Sequence, residues 1–107
     1  MAWAVEILNA SVTAELVALP DDMQARFQWI VQLIEARGLE RVHQPYIDHL
    51  DGPIWEIRMK GRDGIARALY VTAKDKRVVV VRVFVKKTQK TPAAEIRLAK
   101  KRAGEIT

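Results

Sequence analysis

The chain contains no cysteine, which removes disulfides, thiolate metal sites and a cysteine nucleophile from consideration. Histidine is almost as scarce. His43 and His49 are the two present, and no carboxylate-rich cluster joins them, so neither a metal site nor a cofactor is expected. The longest apolar run, Val78 to Val85, is interrupted by Arg82 and is far too short to span a bilayer. Met1-Ala2-Trp3-Ala4-Val5-Glu6 lacks a basic stretch leading into a long apolar run, so no signal peptide is expected. These absences point to a cytoplasmic protein with no membrane partner. Repeats, linkers and low-complexity tracts are also missing from the 107 residues, which suit one domain spanning residues 1–107.

What is present is apolar bulk and positive charge. Half of the residues are hydrophobic, enough for one core without covalent staples. The formal net charge is +5, and it is concentrated toward the C-terminus. Arg82, Lys86, Lys87, Lys90, Arg97, Lys100, Lys101 and Arg102 stand there against Glu95 and Glu105. Such a concentration attracts a polyanion through counterion release, although a solvated basic face would look the same in sequence.

Trp3 to Leu8 is short and carries Trp, Val and Ile, as a strand does. Asn9-Ala10-Ser11 can cap a helix that runs to Leu19 and stops at Pro20. From Asp21, the residues Met23, Phe27, Ile30 and Ile34 fall on one helical face, with Gly38 as the stop. Leu39 to Pro53 shows no period and reads as a connection. Ile54 to Lys60 alternates, placing Trp55, Ile57 and Met59 opposite Glu56, Arg58 and Lys60. Gly61 to Gly64 is a turn, Ile65 to Ala73 a second strand, Asp75-Lys76 another turn, and Val78 to Lys86 a strand buried on both faces. Thr91 as N-cap and Pro92 at the first helical position open a last helix. Its apolar stripe is Ile96, Ala99, Ala103 and Ile106. The reading is α+β in the order β-α-α-β-β-β-α, with one mostly antiparallel four-stranded sheet packed with helices.

Neighbouring antiparallel strands would set Arg58, Arg67 and Lys86 or Lys87 on one patch. Arg67 lies among Ile65, Ala66, Ala68 and Leu69, where a charge is costly unless paired or facing a wet cleft. Guanidinium groups grip phosphate in bidentate fashion and stabilise charge developing at phosphorus. Glu56 is a candidate acid or base, or a simple partner for Arg58 or Arg67. Tyr70 and the tryptophans, Trp29 and Trp55 especially, are expected in the core, with the Tyr70 hydroxyl a candidate at the site's edge. Lys60, Arg82, Lys90, Arg97 and Lys101 are candidate nucleic-acid contacts.

Four segments carry a resemblance: Leu19-Pro20 before a long helix, Gly52 to Arg58 (GPIWEIR), Arg67 to Tyr70 (RALY), and Phe84 to Ile96 (FVKKTQKTPAAEI). Together they resemble the phage-derived, HigB-like branch of the RelE/ParE toxin superfamily, in the correct order over nearly the whole chain. The last segment is the most specific.

The resemblance implies a compact RelE-like fold and a cognate antitoxin, usually of the helix-turn-helix type. It implies a toxin that acts on the ribosome and cuts mRNA by attack of the ribose 2′-OH without a metal. By the motifs, Arg58 and Arg67 look like the strand arginines that hold the scissile phosphate. Lys86 or Lys87 looks like the basic residue ending the last strand. Glu56, or a lysine whose pKa its neighbours depress, would then be the base, with Tyr70 and Lys86 open as the acid. Two other functions fit the same residues: a ParE-like gyrase inhibitor without an active site, and a non-catalytic nucleic-acid- or antitoxin-binding module.

Overall fold

The structure is a computed structural model that describes residues 2–86 and 90–107. Strand β1 (Ala4–Ile7) leads into helix α1 (Ala10–Val17) and the long helix α2 (Asp21–Arg37). A 3₁₀ turn (Leu39–Arg41) precedes β2 (Ile47–Asp51), β3 (Ile54–Gly61), β4 (Gly64–Ala73), β5 (Arg77–Lys86) and helix α3 (Ala93–Ala103). The strands form one sheet in the order β1-β5-β4-β3-β2, with β1 parallel to β5 and the other pairs antiparallel.

The α+β class and the mostly antiparallel sheet are as the sequence implied. The sheet nevertheless has five strands among the described residues rather than four. The extra strand is β2, inside the stretch read as a connection. Only Ile47 of its five side chains is buried, so it shows no alternation of apolar and polar residues. Asp48, His49 and Asp51 suit an edge strand, where charge discourages pairing with other chains.

The helices follow their local signals. The Asn9 side chain accepts from the Val12 amide and caps α1, which ends at Val17, two residues short of the sequence expectation. Met23, Phe27, Ile30 and Ile34 are all buried along α2. At the start of α3, Pro92 is itself the N-cap and Ala93 the first helical residue. The expected Thr91 cap is absent, and the Thr91 hydroxyl is buried without a partner among the described residues. The tryptophan expectation also fails, since Trp29 and Trp55 are 41% and 39% exposed. None of the helices described is long and apolar enough to cross a membrane.

Each sheet face has its own core. The α2 face gathers Ile57, Met59, Ala66, Ala68, Tyr70, Val78, Val80 and Val83. The α3 face gathers Ile54, Leu69, Val71, Val79, Val81 and Ala99, with Phe84 and Ile106 beside them. Between β4 and β5 the register jumps: Leu69 pairs with Arg82, but Tyr70 pairs with Val80. Val81 is therefore an extra residue, a β-bulge. Before it, odd-numbered residues of β5 face α3. After it, Arg82, Phe84 and Lys86 do.

Strand β1 covers β5 only as far as Val80, and side chains close the edge beyond. The Glu15 carboxylate of α1 accepts from the Val83 amide at 3.1 Å. It also accepts from Arg102 at 3.0 Å and pairs with Arg82 at 2.9 Å. Arg102 in turn donates to the Val81 carbonyl, and Arg82 grips Glu95 through two hydrogen bonds. Burial raises the Glu15 pKa, but the Arg102 and Val83 hydrogen bonds and the charges of Arg82 and Arg102 outweigh it. The net position is below the ordinary 4.5.

A carboxylate depressed on folding stabilises the protein above its unfolded pKa, and that contribution fades as pH falls through the folded value. Glu15→Gln is therefore expected to lower unfolding free energy by about 2 kcal/mol at neutral pH. It should also flatten the loss of stability below pH 4.5. Urea unfolding of both proteins across pH 3–7 checks this; equal acid limbs would refute it.

Candidate functional site

The α3 face of the sheet is covered by α3 over only part of its area. The uncovered part carries charge because register and bulge place it there. Asp48 on β2 pairs with Glu56 on β3, and Arg58 on β3 lies directly opposite Arg67 on β4. Arg67 pairs with Phe84 and Ile65 with Lys86 on β5. Thus Glu56, Arg58, Arg67 and Lys86, four sequence-derived candidates, share one face of three adjacent strands.

Arg67 is the unusual member, with only 4% of its surface exposed. Its nearest carboxylate contact is loose: Nη1 lies 3.5 Å from Oε1 of Glu56, beyond the usual ~2.7–2.9 Å of a charged hydrogen bond. The same oxygen is 3.9 Å from Nε of Arg58. Among the described residues, Arg67 Nε and Nη1 and Glu56 Oε2 are buried without hydrogen-bond partners. An unsatisfied buried donor costs about 1–3 kcal/mol, and more when charged. The arrangement is a cationic socket with donors to spare, held by an ion pair too long to quench it.

The electrostatics agree. Burial lowers the Arg67 pKa, the Glu56 charge opposes that, and Arg58 adds to it. Lys86 is lowered by burial first and then by Arg67, with Glu56 opposing and Arg58 contributing. These influences move Lys86 toward its neutral amine, the only form of a lysine that can accept a proton.

Other candidates sit elsewhere. Tyr70 lies on the opposite, α2 face in the apolar core, and burial raises its pKa. It is separated by the sheet from Glu56 and Arg67 and has no part in their site. Arg82 shares the site's face and is bound to Glu15 and Glu95, contacts that tie the sheet to α1 and α3. Lys60, Lys90, Arg97 and Lys101 are exposed. Lys87 lies outside the described residues. Sequence reasoning missed Asp48, whose charge reaches Arg67. Its only signal was an acidic residue after an isolated apolar one.

If the socket is built for an oxyanion, phosphate will stabilise the fold by mass action. Raising phosphate at constant ionic strength should raise Tm, and Arg67→Met should abolish the rise. Glu56→Gln, which removes the internal competitor, should enlarge it. Equal responses of wild type and Arg67→Met would exclude the socket.

Residues 14–104 match the family model described as Phage derived protein Gp49-like (DUF891). No curated protein sequence matches the chain significantly. Among solved structures, the chain is similar to the archaeal RelE–RelB complex from Pyrococcus horikoshii OT3. That likeness has a TM-score of 0.61 and 20% identity, covering 81% of this chain and 98% of the other. It is also similar to a double arginine-to-alanine mutant of the E. coli toxin RelE in the free state. There the TM-score is 0.56 and the identity 13%, with 100% of both chains covered. At such identities the likeness carries the fold and no residue roles.

Proposed function

The chain belongs to the phage-derived Gp49-like family and has the RelE fold; from that premise we propose that it is a toxin that cleaves mRNA on the ribosome. The observation that carries the nuclease reading is Arg67, a buried guanidinium beside Arg58 and Lys86 whose Nε and Nη1 find no hydrogen-bond partner among the described residues. Arg58 and Arg67 hold the scissile phosphate and absorb the charge that builds on it. Lys86, in its neutral form, takes the proton of the adjacent ribose 2′-OH. The 2′ oxygen bonds to phosphorus as the P–O5′ bond breaks. A 2′,3′-cyclic phosphate remains, and the departing 5′ oxygen takes a proton. The Glu56 carboxylate lies between the two arginines at 3.5 and 3.9 Å. The reaction requires no metal, because the nucleophile is already part of the substrate.

Lys87, next in sequence, joins the proposal on its chemistry alone. Lys60, Lys90, Arg97 and Lys101 contact the RNA backbone as point charges. The cell compartment is the cytoplasm, where the ribosome and mRNA are. A cognate antitoxin, of the helix-turn-helix type, neutralises the toxin by laying acidic side chains over the same socket. The archaeal structure of this fold, a RelE–RelB complex, supports an antitoxin partner.

Primer extension on mRNA after brief induction, in cells lacking the antitoxin, tests the reading. New 5′ ends inside translated codons are expected for the wild type, reduced about 10²–10³-fold in Arg67→Ala, with Arg67→Gln as the control for folding. Growth arrest without such ends would replace the nuclease by a gyrase poison. In purified ribosome assays the rate should climb with pH, because a neutral amine is the base. The lowered Lys86 pKa shifts that climb below the ordinary 10.5. Lys86→Arg, which stays charged, should abolish the climb.

A further inference from the structure

Beside the phosphate socket, and outside it, lies a second recess. Strand β2 begins at Ile47 opposite Ile57, and the Tyr46 carbonyl accepts the Arg58 amide at 2.8 Å. Beyond Arg58, no strand among the described residues covers the outer edge of β3. A cleft of about 260 Å³ opens there, lined by Arg26, Pro45, Tyr46, Arg58, Lys60 and Ile65. Tyr46, Pro45 and Ile65 give it apolar walls. Arg26, Arg58 and Lys60 bring three cations to its lining, and no carboxylate is among the lining residues.

The aromatic wall is held in place from behind. Trp29 meets Tyr46 edge-on, with ring centroids 5.1 Å apart and planes at 76°. The Arg26 guanidinium sits 5.0 Å from the Trp29 ring centre. Trp29 is 41% exposed even with both contacts. Flat apolar surface rimmed by cations is what a nucleobase with its phosphates requires: the ring stacks and the backbone is neutralised. A cleft just below the ~300–1,000 Å³ of sites for drug-sized ligands suits one base with its ribose. Arg58 lines this cleft and also faces Arg67 across the strand pair. A base seated here therefore belongs to a nucleotide adjoining the phosphate held by Arg67.

We propose that this cleft between α2 and the edge of β3 binds a nucleobase of single-stranded RNA next to the scissile phosphate and selects where the chain cuts. The proposal rests on the nuclease reading for its biological meaning, but not for its binding test. Tyr46 and Pro45 form the stacking wall, Ile65 closes the cleft, and Arg26 and Lys60 hold the flanking phosphates.

The probe is a 2′-O-methyl adenosine trinucleotide, whose capped hydroxyls prevent turnover, compared with the same compound lacking its central base. NMR titration of the full chain should shift the Ile65 methyls and the Trp29 indole N–H with the first compound. The abasic compound should bind about tenfold more weakly, the loss expected for one stacked base. Arg26→Gln, on an exposed side chain that the core does not need, should weaken the first compound's binding. Tyr46→Ala should erase the difference between the two. Equal binding of both compounds, shifts confined to the Arg67–Lys86 face, or no shift at millimolar probe would each overturn the proposal.

Mapping the cuts in cells separates this inference from the reading beneath it. Tyr46→Ala is expected to go on cutting mRNA while the base preference beside the cuts relaxes. Cuts by Tyr46→Ala with wild-type preference would refute the cleft and leave the nuclease standing. No cuts by the wild type would refute the nuclease, and the titration alone would then decide the cleft.

Discussion

One extra residue in β5 decides what this molecule presents to its surroundings. Val78, Val79, Val80 and Val81 are all buried, so either face of the sheet would accept any of them. At Val81 the ladder to β4 slips, and the alternation restarts with Arg82, Phe84 and Lys86 on the α3 side. An unbroken ladder would send those three side chains into the α2 core and bring Val83 and Val85 to the other face. Arg67 would then lose Lys86 as its neighbour on that face. Arg82 would lose Glu95, one of the ion pairs that tie α3 to the sheet. Bulges bend the strand that bears them and weaken local pairing. Here the slip coincides with the end of β1, so β5 loses β1 on one side where its ladder to β4 is interrupted on the other. The Glu15 carboxylate and the Arg102 guanidinium supply the missing strand's hydrogen bonds at Val83 and Val81.

This divides the cations into two populations that net charge alone does not distinguish. Arg77 is bound to Glu6, Arg82 to Glu15 and Glu95, Arg102 to Glu15, and Lys100 to Asp51. Each of these contacts is 3.0 Å or shorter, and each joins separate elements of the fold. Arg58 and Arg67 instead share one carboxylate at 3.9 and 3.5 Å. The basic composition that suggests a polyanion partner is thus partly spent on architecture. Arg58, Arg67 and Lys86 lie instead where the sheet is uncovered.

The sequence made the long elements legible because their periods are strong. Met23, Phe27, Ile30 and Ile34 marked the inner face of α2, and the alternation from Trp55 to Lys60 assigned each side chain of β3 to its face. The convergence of Arg58, Arg67 and Lys86 was legible from the same alternation, although for β5 it depends on a bulge that four consecutive valines conceal. Strand β2 left no trace, because a polar edge strand with one buried side chain has no period. The fate of Arg82 was equally hidden: its partner Glu15 lies far away in the chain, and no local pattern announces such a pair. Trp29 and Trp55 misled for a related reason. Their spacing fits apolar stripes, but spacing gives the face of an element and not how far its neighbours cover that face.

The fold by itself is compatible with catalysis or with simple binding, so the choice must rest on what the site costs. Arg67 is almost wholly removed from water, and its contact with Glu56 is too long to recover the lost hydration. Replacing such a pair with apolar side chains of similar size is commonly neutral or stabilising by about 1–4 kcal/mol. A chain that needed only this fold, or only a basic surface, would gain by having leucine at position 67 and keeping its lysines exposed. A chain that must stabilise charge appearing on a phosphate needs the opposite: donors fixed in advance, dry, and not yet satisfied. What Arg67 costs the fold and what fits it to a transition state are then the same property. That identity favours the nuclease over a passive poison.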